Sequence, residues 1–269
     1  MGKGWAKGLT AATDPRVARA AAAHRGQQYE RRTPFEQCRW QRASRTTLPL
    51  EWSDSMAYIV GLTATDGCLV SGRRAINFKS RDRDLVETYV RVLGRTNAIR
   101  AEPTRAGGVV FSTQFHDSTL YEWFRSVGLT PRKSLTLGGF DVPEGQLFPL
   151  IRGLLDGDGS IINAVYRADT GGRRDYYWEY LITSFSSASR AHLTWLRDRI
   201  HGATGLSGNL TETTRTLRST VERNPFFELR YAKCASRVLL PALYRSGTPC
   251  LARKRAIWQQ YASRHGLLS

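Results

Sequence analysis

LFPLIRGLLDGDGSI, residues 147–161, reads as one apolar helix that stops at two carboxylates. Leu147, Leu150, Ile151, Leu154 and Leu155 recur at the spacing of a single helix face, and Gly159 ends the run. A second copy lies upstream. Between Met56 and Leu69 the chain reads MAYIVGLTATDGCL, so that IVGLTATDG aligns with IRGLLDGDG, Gly61 over Gly153 and Asp66 over Asp158, 92 residues apart. An Asp-Gly pair after an apolar run is by itself an ordinary helix C-terminus, but two in register, each opening a similar string of elements, indicate an internal duplication. Gly61 with Thr65, and Gly153 with Gly157, place small residues one helical turn apart, which lets two backbones approach closely. Such an approach brings the two helix ends together. An Asp at the negative end of a helix dipole is disfavoured by about 0.3–1 kcal/mol, and two side by side repel further unless a cation lies between them. The pattern therefore predicts a metal site held by Asp66 and Asp158.

Composition sets the outer bounds. The chain has 269 residues, enough for one large or two small domains, and a net charge of +17 from 40 basic and 23 acidic residues. A chain this basic points to a polyanion, with nucleic acid as the default partner and a membrane surface as the rival. No apolar run approaches the ~20 residues of a spanning helix, and MGKGWAKG at the start lacks the apolar core of a signal peptide, so the expectation is an intracellular protein. Of the basic residues 34 are arginine, which fits a GC-rich genome as well as selection for phosphate contacts, and a bacterial or phage source is expected. Cys38, Cys68, Cys234 and Cys250 are scattered, without CxxC or histidine at ligand spacing, and read as free thiols.

Residues 1–50 form a basic extension, net +7, with Asp14-Pro15 opening an alanine-rich helix over 16–26. Its arginines between 31 and 45, interleaved with Tyr29, Phe35 and Trp40, suit a DNA-contacting arm better than a solvated tail. Residues 51–142 read as a first half and 143–269 as a second. After the first motif helix come a hairpin over 68–71 and 75–80, a helix over 84–94, strands over 98–102 and 109–115, and a helix over 118–127, an αββαββα unit. The second half repeats it: strands over 160–167 and 176–185, a helix over 190–200, strands over 206–211 and 226–232, then helices over 236–244 and 253–264. Its hairpin tip at 168–175 and its loop at 212–224 are basic and read as groove-tracking, with loop growth as the plainer alternative.

The two motifs resemble the one that defines the double-motif LAGLIDADG homing endonucleases. The resemblance implies an α+β fold of two pseudo-symmetric αββαββα halves, each a twisted antiparallel four-stranded sheet forming half of a DNA-binding saddle, joined by a two-helix interface containing Gly61, Thr65, Gly153 and Gly157. It implies a monomer that cuts both strands of a long asymmetric DNA target, about two helical turns in length, and so mobilises a host intron or other intervening element. Metal ligands would be Asp66, Asp158 and the neighbouring Gly67 and Gly159, holding Mg²⁺, with Mn²⁺ or Ca²⁺ substituting for binding.

GLTPRKS (128–134) and SGTPCLARK (246–254) each follow the last helix of a half and place a lysine after a proline, where the family has a basic residue beside the scissile phosphate. On that resemblance Lys133 and Lys254 join the catalytic set, with Arg81 and Ser186 at the position that positions water. Ala64 stands where the second copy has Asp156, and Asp156 is expected to cap its helix or contact the neighbouring strand. Alternate side chains of the strands would reach base edges or phosphates in the major groove: Arg74, Asn77, Lys79, Arg100 and Gln114 in the first half, Arg167, Tyr177, Glu179, Arg230 and Lys233 in the second. An RNA maturase and a catalytically inactive DNA-binding regulator of the same fold are the alternative readings. An intein is disfavoured, since the chain starts at Met1 and ends HGLLS.

Overall fold

The computed structural model of the protein describes residues 9–24, 46–104, 107–167, 177–213 and 226–267. Trp5, Tyr29, Phe35, Trp40, Cys38, the arginines between 31 and 45, the hairpin tip at 168–175 and most of the loop at 212–224 lie outside them. The chain falls into two units, residues 1–42 and 43–269. In the first, helix α1 (Pro15–His24) begins where the Asp14 carboxylate accepts the Arg16 backbone N–H at 2.7 Å. The extension was expected to reach residue 50. Instead Thr46 donates to Asp117 at 2.9 Å, Thr47 donates to the Leu93 carbonyl at 3.1 Å, and Leu48 and Leu50 pack against the core, so residues 46–50 belong to the second unit.

The second unit contains two copies of one string. The first is α2 (Asp54–Thr65), β1 (Gly67–Val70), β2 (Ala75–Ser80), α3 (Arg83–Val92), β3 (Arg100–Pro103), β4 (Val109–His116) and α4 (Ser118–Ser126). The second is α5 (Leu147–Asp158), β5 (Ser160–Arg167), β6 (Tyr177–Ser187), α6 (Arg190–Thr204), β7 (Asn209–Thr213), β8 (Phe226–Tyr231) and α7 (Lys233–Leu243), followed by α8 (Ala252–Arg264). The architecture is α+β, with antiparallel sheets ordered β1-β2-β4-β3 and β5-β6-β8-β7. Strand β7 starts three residues later than its sequence indicates. Helix α6 runs on to Thr204 before Gly205 stops it with φ +71, and Leu206 packs against the core instead of pairing.

Helices α2 and α5 lie against each other at the centre. Every residue of α2 from Met56 to Ala64 is buried, as befits a helix apolar on all sides. Contact is made through the glycines: a Cβ on Gly61 would fall against the Leu150 carbonyl oxygen and 2.8 Å from Leu154 N, and one on Gly153 would collide with the Tyr58 carbonyl. A Cβ on Gly157 would overlap the Thr65 side chain, so all four small residues lie at this contact. Asp156, also buried here, does not touch a strand as expected. Its carboxylate accepts Tyr58 Oη across the helix pair at 2.9 Å, Tyr244 Oη at 2.7 Å and the Leu251 backbone N–H at 2.8 Å, tying α5 to α2 and to the segment before α8. Arg152, one turn earlier and also buried, donates to the Leu243 carbonyl at 3.1 Å and lies over the Tyr58 ring.

Candidate functional site

Each motif helix runs directly into the first strand of its sheet, so the close helix contact also sets where the two sheets begin. At that junction α2 ends in Asp66 and α5 in Asp158. Asp66 is half-buried and Asp158 opens to solvent, while Ser186 on β6 shares a small cavity with Asp158 and Thr65. Desolvation and then repulsion from Asp158 push the Asp66 carboxyl up to about 7. Desolvation also raises Asp158, opposed by Lys254 and Lys133. The acids therefore sense each other and both lysines, and the four residues form one cluster.

The lysines are buried, at 7% and 2% exposure, and their ammonium groups face backbone oxygen. Lys133 donates to the Gly67 carbonyl. Lys254 lies among the carbonyls of Leu155 (2.6 Å), Gly159 (2.7 Å), Asp156 (2.9 Å) and Gly157 (3.2 Å). A helix leaves its last four carbonyls without partners inside the helix, and a cation there is favoured by the dipole. Lys254 therefore caps α5, and Lys133 holds the matching carbonyl in the first half. Burial pulls the Lys254 ammonium down to about 8 against the raising influence of Asp156.

Arg81, expected to position water, is exposed and makes no hydrogen bond or ion pair with either acid. Its neighbour Asp82 instead adds to the negative field at Asp66 and accepts from Nε and Nη2 of Arg253, at 2.7 and 2.8 Å, which joins the β2–α3 turn to the start of α8. In the sequence Asp82 reads as the N-cap of the following helix, and it does precede α3 at that position, but its side chain makes no cap hydrogen bond and pairs with Arg253 instead. Among the described residues no group of three or more His, Cys, Asp or Glu side chains could hold a metal. Both acids are disfavoured as charged groups, Asp66 by desolvation and by Asp158, Asp158 by desolvation, and a cation bound by their oxygens would relieve that cost, while the Gly67 and Gly159 carbonyls beside them already accept from Lys133 and Lys254.

The sheets place the candidate binding residues unequally. Helices cover one face of each sheet, burying Ile76, Phe78 and Phe115 in the first and Leu181, Phe185 and Leu229 in the second. In the first sheet Asn77 pairs with Gln114, and Lys79 and Arg100 both pair with Ser112, so these residues lie on the opposite, open face. Arg74 does not: it occupies the turn with φ +46, and its guanidinium approaches Glu122 on α4 at 3.4 Å.

In the second sheet Arg230 is on the open face, beside Glu228. Arg167, Tyr177 and Glu179 are in phase with Leu181 and Phe185, so they project to the helix side, which corrects the expected groove position. Glu179 accepts from Asn163 at 3.1 Å and Arg264 at 3.0 Å and contacts His265 at 2.7 Å. Lys233 is not on a strand but opens α7, 3.6 Å from Glu179. The open face of the outer hairpin carries Ile162, Tyr166, Trp178, Tyr180 and Ile182 instead.

Cys68 and Cys234 are exposed and Cys250 half-buried, all free. No described helix is long and apolar enough to cross a membrane.

No family model matches the chain, and a comparison with curated proteins finds no match either. Solved structures do resemble it. Meganuclease I-SmaMI bound to uncleavable DNA has a TM-score of 0.53 at 12% identity, covering 82% of this chain and 89% of that one. I-SmaMI bound to an uncleaved DNA target with calcium ions gives 0.52 at 11% identity, over 79% and 90%. The homing endonuclease I-WcaI bound to its DNA recognition sequence gives 0.50 at 8% identity, over 84% and 94%. At such identities a likeness speaks for the fold, and together with the paired motif helices and the repeated sheet order it shows that this chain has the LAGLIDADG fold in its single-chain, double-motif form.

Proposed function

We propose that the protein is a metal-dependent endodeoxyribonuclease that cuts both strands of a long asymmetric DNA site, about 20 base pairs, as a homing endonuclease of its host element. The observation that carries the reading is the pair of acids, Asp66 and Asp158, held at adjoining helix ends with a buried lysine behind each. Two carboxylates kept together at a cost in electrostatic energy have no structural use, whereas the hydrogen-bonded Asp156 beside them has an evident one. The +17 charge and the DNA-bound neighbours of the same fold support duplex DNA as the substrate.

Asp66 and Asp158 would hold divalent cations through hard oxygen ligands, with Mg²⁺ the ion proposed, and the Gly67 and Gly159 carbonyls, which also accept from Lys133 and Lys254, would flank them. A cation bound there supplies charge stabilisation to the phosphate and an acidified water. The chain contributes position. Lys254 and Lys133 fix the carbonyls that flank the acids, and their buried charge adds positive potential where the phosphate gains negative charge. Ser186, which lines a small cavity with Asp158, would orient water. Cleavage of a target plasmid in Mg²⁺ tests the reading. Asp66→Asn and Asp158→Asn should each abolish double-strand cutting while leaving binding within a few fold, and undiminished cutting by either variant would reject the assignment.

A further inference from the structure

The open face of the β5–β6 hairpin is apolar and aromatic where the open face of the first sheet is polar. Ile162 is 40%, Tyr166 57%, Trp178 48% and Tyr180 41% exposed. With Ile182 they line a concavity of about 590 Å³. Strand pairing puts Ile162 opposite Ile182 and Tyr166 opposite Trp178, so the patch lies on one face in one register. The Tyr166 and Tyr180 rings meet edge to face at 5.6 Å, which holds them in place.

We propose that this patch reads thymine methyl groups in the major groove, so that the half-site under the second sheet is thymine-rich. The inference rests on the duplex-DNA reading above. Two features choose this occupant over a protein partner. The patch is continuous, on the same face of the same sheet, with Arg230 and with Ser186, which lines the cavity beside Asp158. The surrounding chain is strongly basic, +17 overall, and Arg230 lies on the same face, a setting that draws a polyanion against the apolar surface. The thymine C5-methyl is the apolar group that the major groove displays, and the other base edges there offer hydrogen-bonding atoms that isoleucine cannot satisfy. The apolar outer hairpin of the second sheet, against amides and cations on the first, therefore makes the second half-site the methyl-read one, with Arg230 on β8 beside it.

The test uses the full chain and begins with selection from a randomised 24-base-pair duplex pool in Ca²⁺. The selected target should concentrate thymine in one half. Each thymine is then replaced by deoxyuridine, which removes only the methyl. In that half each contacted methyl should cost about three- to fourfold in affinity, the factor expected for burying one such group, and in the other half less than twofold. In Ile162→Ser and Tyr180→Ser proteins with wild-type melting temperatures, the thymine and uracil duplexes should bind alike. Equal binding of both duplexes by the wild-type protein overturns the proposal and leaves DNA recognition standing. A pool that yields no preferred sequence overturns both. Dimerisation of the free protein that Tyr180→Ser abolishes assigns the patch to a second copy and also overturns it.

Discussion

On the first sheet the open face carries Asn77, Lys79, Arg100 and Gln114, with the two amides bonded at 3.2 Å and Lys79 paired to Glu102 at 2.8 Å. On the second sheet the open face of the outer hairpin, β5 and β6, carries Ile162, Tyr166, Tyr180 and Ile182, while Arg230 and Glu228 keep that face polar on the inner strand β8. The helix contact behind both sheets is nearly symmetric, glycine against glycine. A duplicated fold thus preserves what packing dictates, since a close backbone approach tolerates no side chain, and leaves the solvent-facing half of each strand free to diverge. The motif helices diverge at one buried point. The first has Ala64 where the second has Asp156, because only the second has Tyr244 and the Leu251 N–H within reach to satisfy a carboxylate.

Leucine at either central glycine tests the symmetric part and should have the largest effect. A Cβ alone already meets main-chain atoms of the partner helix at both positions, and backbone cannot move aside as a side chain does. Gly61→Leu and Gly153→Leu should each destabilise by more than the ~1–3 kcal/mol usual for overpacking, measured by urea unfolding. Unequal losses would show that one helix tilts to relieve the clash. A melting temperature within a degree or two of wild type in either variant would remove the close contact from the account.

The asymmetric point comes next. Asp156→Ala leaves two tyrosine hydroxyls and one N–H without their acceptor, each worth about 1–3 kcal/mol when buried, and a loss of about 3 kcal/mol is expected after relaxation. Copying the acid into the first half, Ala64→Asp, buries a carboxylate without those donors and should cost at least as much. Wild-type stability in Ala64→Asp would mean that the first half has a hidden counterpart to the Tyr58–Tyr244 cradle.

Much of this was legible beforehand, for definite reasons. Two helices with the same apolar period and the same terminal Asp-Gly mark themselves, and strands separated by glycine turns give the hairpins, though not the central β2–β4 pairing that sets the sheet order. The phase of β6 was not legible from its outer end, because Tyr177, Trp178, Glu179 and Tyr180 give no clean alternation and all but Glu179 are exposed. The cue lay further along: Leu181 and Phe185, two and six residues beyond Glu179, are buried, and period-two geometry carries Glu179 to their side. The packing of Lys133 and Lys254 against helix-end carbonyls depends on contacts across 66 and 95 or more residues, which no local pattern encodes.

The contrast between the open faces can be sharpened by salt. Each phosphate neutralised contributes about −0.9 to the slope of log affinity against log salt. Arg100→Ala should flatten that slope by up to this amount and weaken binding severalfold at low ionic strength. Tyr180→Ser should weaken binding with no change in slope, since a tyrosine releases no counterion. Parallel losses of slope in both variants would mean that the two sheets engage DNA in the same way.

The smallest effect concerns the helix side of the second sheet, where Glu179 on β6 is held by Asn163, Arg264 and His265, while Glu102 on β3 of the first sheet bonds Lys79 and Ser112 on the open face. Partial burial pushes the Glu179 carboxyl up, but the hydrogen bonds from Asn163, Arg264 and His265 outweigh it and hold the group at about 2, below its ordinary 4.5. A carboxyl depressed on folding stabilises the protein above its unfolded pKa and loses that contribution as pH falls through the folded value. Glu179→Gln should therefore cost about 1 kcal/mol at pH 7, the scale of a solvent-screened network, and the difference from wild type should narrow as pH drops from 4.5 toward 2. Because Glu179 faces α8 and not the groove, DNA affinity in this variant should stay within twofold of wild type. A selective loss of affinity without loss of stability would return Glu179 to the binding face and reverse the register assigned to the hairpin.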